Sequence, residues 1–309
     1  MLLIETSNRR TYDAADHLRL RGWRFLKKSR RHVNLLEDGR VEGSMDIALL
    51  DKKCAQIGAR LKLMDPPPRR FRDQQGIRLD IGIDRRGEFF AIRAADGDEI
   101  EVLQVQPQDR HLLLMVRENG EKSKFLCGHD ERHWFVAGIP ESAPVGTVAQ
   151  AKDALRPLEV RDAESQKRVS GKARHRRKNN AFVRQGEWFF IPTDDLAVDD
   201  AWVLRNEPLQ RGGGKPHWAE YCYRTGGETV YVCARYPNGV TAQRYRNILS
   251  GNRNAKNWGW TSMMRNAGVY VRGRIRHPDH ATITLAGWHR VAMNTENQSR
   301  AMRHVAFLD

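Results

Sequence analysis

The chain has 309 residues, of which 40% are hydrophobic and 29% are charged, and this composition excludes a wholly disordered protein. It carries 53 Lys and Arg residues against 38 Asp and Glu residues, so the formal net charge is +15. No apolar run approaches the length of about 18 residues that a membrane span requires, and we recognise no secretory signal, so we expect no membrane partner. The four cysteines form no CxxC pair, which indicates a reduced, cytoplasmic protein.

A chain of this length suits two domains, because single cores stop growing near about 250 residues. We expect the first domain to cover residues 1–155. Apolar residues recur at three- and four-residue steps over 46–63 and predict a helix. Six short segments bounded by turn residues follow and predict strands over 79–83, 88–92, 100–105, 111–116, 124–127 and 133–137. The sequence therefore predicts an α+β fold that is rich in strands, with an antiparallel meander or a small barrel after the N-terminal helix.

The basic segment, residues 165–186, holds eight basic residues and no acidic one. They are Lys167, Arg168, Lys172, Arg174, Arg176, Arg177, Lys178 and Arg184. Because a core does not tolerate this density of charge, residues 156–180 are predicted to be a linker or an exposed arm. Such an arm can follow a phosphate backbone, and the alternative is a solvated connector without a ligand.

Residues 181–309 predict a second antiparallel sheet domain with an inserted pair of helices. The first helix is expected over 242–249 with Thr241 as its N-cap, and the second over 256–265. A hairpin is expected over 182–191. Further strands are expected over 201–205, 229–233, 269–276, 281–285 and 288–293. In the closing hairpin, apolar alternation places Ile275 opposite Ile283 and Arg274 opposite Thr284.

One face of the strand over residues 270–276, the arginine strand, is basic and carries one aromatic ring. Alternation along the strand places four side chains on this face, namely Tyr270, Arg272, Arg274 and Arg276. Guanidinium groups bind phosphate in bidentate fashion, and a tyrosine stacks on a base, so these residues are candidates for a nucleic-acid contact. Trp258 and Trp260 are further candidates for stacking. The alternative for the arginines is a charged face that prevents aggregation of an edge strand.

Four histidines of the second domain form a candidate catalytic or metal site: His217, His277, His280 and His289. His277 and His280 flank one turn, and imidazoles at this spacing either bind a divalent metal or act as an acid and base pair in phosphodiester chemistry. A divalent metal is the one cofactor that such a cluster would imply. A second dense set, Cys127 to His133, is predicted to be a structural turn rather than a reactive site.

The distribution of charge favours a nucleic-acid partner. Residues 1–155 carry 27 basic and 24 acidic groups, whereas residues 156–309 carry 26 and 14. This excess favours a polyanion, and RNA is favoured over DNA because no groove-reading helix motif is visible. Basic residues over 19–31 offer a further contact. Two alternatives remain open: a nuclease or phosphoester-processing enzyme that uses the histidines, and a scaffold subunit of a larger assembly with protein partners.

Overall fold

The computed structural model describes residues 46–64, 77–94, 99–210, 215–300 and 302. The predicted α+β, strand-rich fold is confirmed. Contacts divide the described residues into two compact units: 46–129, 134–148, 299–300 and 302 form the first, and 130–133 with 149–298 form the second. The basic stretch over 19–31 lies outside the described residues. Within the described ranges, no helix is long and apolar enough to cross a bilayer.

The first unit begins with helix α1 (Ile47–Gln56). Asp46 caps the helix, because its carboxylate accepts a hydrogen bond from the backbone N–H of Leu49 at 2.9 Å. The helix ends before Gly58, whose positive φ of 79° is a left-handed conformation that glycine adopts without strain. The predicted helix over 46–63 is therefore too long at its C-terminal end, where residues 61–63 form a strand instead.

Two sheets follow the helix. The first contains β1 (Leu61–Leu63), β2 (Arg78–Asp84) and β3 (Gly87–Arg93), in the order β1-β3-β2. The second contains β4 (Glu99–Gln106), β5 (His111–Glu118), β6 (Glu121–Asp130) and β7 (His133–Ile139), in sequence order. All six predicted strands are present, but they divide between two sheets. Leu50 and Cys54 of α1 are buried in one hydrophobic core with Phe90, Leu114 and Phe125.

The region predicted to be a linker or an arm is folded in the second unit. After α2 (Val148–Ala154), it contains the short helices α3 (Leu158–Gln166) and α4 (Gly171–Arg174). Val160 and Val169 from this region are buried in one core with Phe182 and Phe189. The Asn179 side chain also accepts hydrogen bonds from two backbone N–H groups of the following turn, at 2.8 and 3.1 Å. The apolar residues between the basic ones therefore attach this region to the unit.

A six-stranded antiparallel sheet forms the centre of the second unit. Its strands are β8 (Val183–Gln185), β9 (Trp188–Pro192), β10 (Leu204–Leu209), β11 (His217–Thr225), β15 (Gly268–Arg276) and β16 (Ile283–Met293). Their order is β10-β11-β15-β16-β9-β8. The predicted register of the closing hairpin is confirmed, with Ile275 opposite Ile283 and Arg274 opposite Thr284. Strand β11 is missing from the prediction, because its mixture of polar and aromatic residues does not alternate clearly.

Residues 228–265, called the insert from here on, connect β11 to β15. They contain β12 (Glu228–Cys233), β13 (Tyr236–Thr241) and β14 (Thr261–Arg265), in the order β13-β12-β14, and helix α5 (Ala242–Gly251). Thr241 caps α5 as predicted. The predicted second helix over 256–265 is wrong, because a 3-10 turn ends at residue 257, Gly259 has a positive φ of 68°, and the chain then enters β14.

A buried ion pair joins α3 to the residue that precedes it. Arg156 and Glu164 have side-chain exposures of 7% and 3%, and one guanidinium nitrogen of Arg156 lies 2.8 and 2.7 Å from the two carboxylate oxygens of Glu164. The desolvation of both groups is compensated only while both are present.

We expect Glu164→Ala to lower the free energy of unfolding by about 3 kcal/mol, because it leaves the Arg156 charge buried beside Asp153 alone. Urea denaturation followed by circular dichroism measures this change. Glu159→Ala is the matched control, because Glu159 pairs with Arg290 at the surface and such pairs contribute less than about 1 kcal/mol. Equal losses in both variants would contradict the prediction.

Candidate functional site

The arginine strand is partly neutralised by its neighbours in the sheet. The backbone N–H and the Nε of Arg274 donate hydrogen bonds to one carboxylate oxygen of Glu220, at 2.9 and 3.1 Å, and these bonds lower the pKa of Glu220. Arg276 donates to the Asn206 side chain at 2.6 Å. Arg272 lies 3.6 Å from the carboxylate of Asp200. Of the three arginines, Arg276 alone forms no ion pair within the described ranges, so this strand offers less free positive charge than its sequence suggests.

Rings and guanidinium groups alternate across the same part of the sheet. The Arg272 guanidinium lies 5.1 Å from the ring centroid of Tyr221 and 4.8 Å from that of Trp288. Arg205, on the other side of Tyr221 in the sheet, lies 5.2 Å from the same ring. These cation–π contacts hold the arginine side chains in place. Tyr270 instead contacts Tyr223, at 6.2 Å between centroids.

The basic segment is also partly paired. Arg177 forms ion pairs with Asp130 and Glu131, and Arg184 lies 3.0 Å from Asp130. Lys167 lies 3.8 Å from Asp194. The Arg174 Nε donates to a backbone carbonyl of the same segment at 3.3 Å. Four further exposed cations form neither an ion pair nor a side-chain hydrogen bond with the described part of the chain: Arg168, Lys172, Arg176 and Lys178.

The insert carries a cluster of stacked aromatic rings. Tyr231 and Tyr245 are parallel, with 3.9 Å between centroids and 7° between planes, and they attach α5 to β12. Tyr236 stacks on Trp260 at 5.6 Å and on Trp258 at 6.3 Å. All five rings are half-buried, so part of each remains accessible to solvent.

Positive charge surrounds these rings with little compensation. The insert contains six basic residues and one acidic residue, Glu228, which lies 2.5 Å from Arg265. The guanidinium of Arg235 lies 4.3 Å from the ring centroid of Trp258. The other five cations are exposed and form no ion pair within the described ranges: Arg235, Arg244, Arg246, Arg253 and Lys256. The sequence had indicated Arg253 and Lys256 beside the two tryptophans but not Arg235, Arg244 and Arg246. The low acidic content of 228–265 is a signal that the sequence already contains.

The structure brings three of the four candidate histidines together. His217 begins β11 and His277 follows β15, and the pairing of Trp218 with Arg276 makes the two histidines neighbours. Their rings stack with 4.1 Å between centroids, and His280 lies 5.5 Å from His217 and 4.8 Å from His277. One ring nitrogen from each lies within 4.8 Å of the others. His217, His277 and His280 are called the histidine cluster below.

His289 lies outside the histidine cluster. It pairs with Val271 and Pro192 in the sheet, and its Nδ1 lies 2.8 Å from the carbonyl oxygen of Gly287. Strand β16 continues through residues 286 and 287 without folding back, so His289 stays in the middle of the sheet. Glu131 contacts the cluster instead, with its carboxylate 3.4 Å from the Nδ1 of His280. No local pattern in the sequence could have indicated this contact, because the two residues are distant in the chain.

Burial keeps His217 and His277 uncharged at neutral pH. His217 is 1% exposed, and burial, followed by the neighbouring His277 and His280, lowers its pKa from 6.5 to about 3. Burial and then His280 also lower the pKa of His277. Neutral imidazoles have a lone pair for a metal ion, so these residues could hold one.

Within the set from Cys127 to His133, the cysteine is poorly suited to act as a nucleophile. Burial raises the pKa of the Cys127 thiol well above its usual range, so the thiolate nucleophile is strongly disfavoured. His129 packs edge-on against Trp134, with 4.9 Å between centroids.

No protein-family model, no curated protein and no solved structure matches this chain. The proposals that follow are therefore argued from its own contacts and charges.

We expect His217 to stay neutral in the folded, chelator-treated protein until the pH approaches about 3. Because the unfolded state protonates near 6.5, it binds the proton first, so this residue makes the free energy of unfolding fall as the pH drops from 6.5 towards 3. NMR titration of the imidazole Cε1–H resonance, with urea denaturation across this pH range, measures both effects. Titration of His217 near 6.5 in the folded protein would contradict the prediction.

Proposed function

We propose that the chain binds single-stranded nucleic acid, and that the insert is its main contact surface. The observation that carries this proposal is the combination of five cations without an ion pair and five clustered aromatic rings in a segment that has one acidic residue. Phosphate neutralisation by Lys and Arg releases condensed counterions, which supplies affinity without reading sequence. Bases that stack on aromatic rings add affinity that tolerates any sequence.

The geometry of the aromatic rings in the insert favours unpaired bases over a duplex. A base can reach the exposed parts of Trp258 and Tyr236 only if it is not already stacked inside a helix. Arg235 and Arg244 lie beside these two rings, so they can contact the phosphates on either side of a stacked base. RNA is the preferred ligand in this proposal, because unpaired loops and ends are the parts of RNA that proteins most often bind, and the sequence shows no helix motif that reads the grooves of duplex DNA.

The surfaces that the sequence indicates are secondary contacts in this proposal. Four cations of the basic segment and Arg276 of the arginine strand form no ion pair within the described ranges, so they are available to phosphate. Arg274 is already paired with Glu220. A cytoplasmic location is part of the same proposal and agrees with four cysteines that are buried and free of disulfides. A protein partner is the competing class of ligand, because Met263 and Met264 are exposed by 54% and 57% on strand β14.

We expect the combined variant Arg235→Gln, Arg244→Gln, Arg246→Gln and Lys256→Gln to weaken binding to RNA and to flatten its salt dependence. Loss of four phosphate contacts reduces the slope of log K against log salt by about 3, at about 0.7 per contact for a single strand. Fluorescence anisotropy with a labelled single-stranded RNA, repeated with the equivalent DNA and with a duplex, measures these slopes.

The matched control changes the four unpaired cations of the basic segment to Gln: Arg168, Lys172, Arg176 and Lys178. Its slope is expected to change less than that of the insert variant, although the charge removed is equal. The proposal fails if the original protein binds no nucleic acid, or if only the control variant loses the slope. A stoichiometric protein that co-purifies without any nucleic acid would favour the scaffold alternative.

We expect Trp258→Ala to cost about 1–3 kcal/mol of binding free energy, because it removes the ring that lies beside Arg235. Trp202→Ala is the matched control, since Trp202 is 70% exposed but lies outside the insert. Anisotropy in low salt measures both affinities, and thermal unfolding checks that both variants are folded. Equal affinities for the two variants would exclude stacking on Trp258.

A further inference from the structure

We propose that the histidine cluster binds a divalent transition metal, with zinc as the preferred ion, at a point in front of Gly186. This site does not depend on the proposed nucleic-acid function, because none of its residues belongs to the insert. Three imidazole nitrogens are a ligand set typical of zinc sites in proteins, and they leave a fourth position for water or another ligand.

The buried ring of His217 is the first argument for a ligand. It is 1% exposed, and neither of its nitrogens has a hydrogen-bond partner among the described residues. A buried polar group without a partner costs free energy, and nearly all such groups in proteins are satisfied. A metal ion bound to one of these nitrogens would compensate for this cost.

Gly186 leaves space for an ion in the turn between β8 and β9. A Cβ atom at this position would lie 2.9 Å from the Nε2 of His280 and 3.5 Å from the Nε2 of His217. The two nitrogens therefore approach one point, one from the first residue of β11 and the other from the turn between β15 and β16. A residue with a side chain would block this point, whereas glycine keeps it accessible and also adopts the positive φ of 58° that the turn requires.

A carboxylate lies close to the Nδ1 of His280, the ring nitrogen that does not approach Gly186. The carboxylate of Glu131 lies 3.4 Å from the Nδ1 of His280 and also accepts a hydrogen bond from the backbone N–H of Ala281 at 2.9 Å. In metal sites, the ligating histidine usually directs its other ring nitrogen to a carboxylate. The Nδ1 of His280 is buried and has no hydrogen-bond partner among the described residues, so Glu131 is the nearby carboxylate that can take this role when the ring binds a metal. The carboxylate favours the tautomer with the proton on Nδ1, which leaves the Nε2 lone pair for the metal.

Binding requires a local contraction of the cluster. The ligand atoms now lie within 4.8 Å of one another, whereas nitrogens around a tetrahedral zinc ion are about 3.3 Å apart. If His277 binds through Nδ1, this nitrogen must also release the hydrogen bond that it accepts from the backbone N–H of Asp279 at 3.2 Å. We therefore expect the turn at residues 278–280 to rearrange when the metal binds.

The test uses the full chain after chelator treatment and adds zinc alone, followed by cobalt as a spectroscopic probe. We expect one equivalent of tightly bound zinc by competition with a chromophoric chelator, and a cobalt absorption spectrum typical of tetrahedral nitrogen ligands. His217→Ala and His280→Ala are expected to abolish the tight site. Glu131→Gln keeps all three ligands and is expected to weaken zinc binding by about 10–100-fold.

His289→Ala is the matched control, because His289 is a buried histidine outside the cluster and its loss is expected to leave the zinc affinity unchanged. If His217→Ala does not fold, the zinc affinities of His280→Ala and Glu131→Gln provide the test. The inference is overturned if the original protein binds no tight equivalent, or if a folded His280→Ala protein retains it. The insert variant with four Gln residues is expected to bind zinc normally, so failure of the nucleic-acid proposal is distinguishable from failure of this one.

Discussion

The antiparallel pairing of β11 with β15 determines where both candidate sites lie. At one end of the pair, Trp218 faces Arg276, and the residues just beyond them bring His217 beside His277. At the other end, Thr225 faces Gly268, and the chain between them forms the insert. Buried Cys222 and Val271, which are paired across the two strands, fix this register through the core. A shift of one residue would separate the histidines and expose these apolar side chains.

Local patterns predicted strands β2 to β7 and the register of the closing hairpin, because alternation and turn residues are sufficient there. They failed where aromatic or polar residues form a strand, as in β11, and where a 3-10 turn and Gly259 replace an apparent helix, as in the insert. For the candidate site, the sequence suggested four histidines, but tertiary contacts bring three of them together. His289 pairs with Val271, about 17 Å along the strand from the last residue of β15, and no local pattern reveals this position.

The charge available to an anion differs from the charge counted along the chain. The densest run of basic residues is the basic segment, yet Asp130 and Glu131 neutralise part of it. Within the described ranges, the six basic residues of the insert form one ion pair with an acidic residue, whereas the eight of the basic segment form four. What matters to an anion is the charge that remains after internal pairing, and this quantity depends on contacts between residues that are far apart in the sequence.

The two ends of the insert enter and leave the sheet at adjacent residues, because Thr225 and Gly268 face each other across one strand pair. Gly226 and Gly227 then turn the chain outward with positive φ angles of 66° and 90°. A short hairpin could therefore replace the whole insert without disturbing the six strands beneath it. The insert is thus a module that evolution could gain, exchange or lose while the histidines at the opposite end of the same strands kept their arrangement.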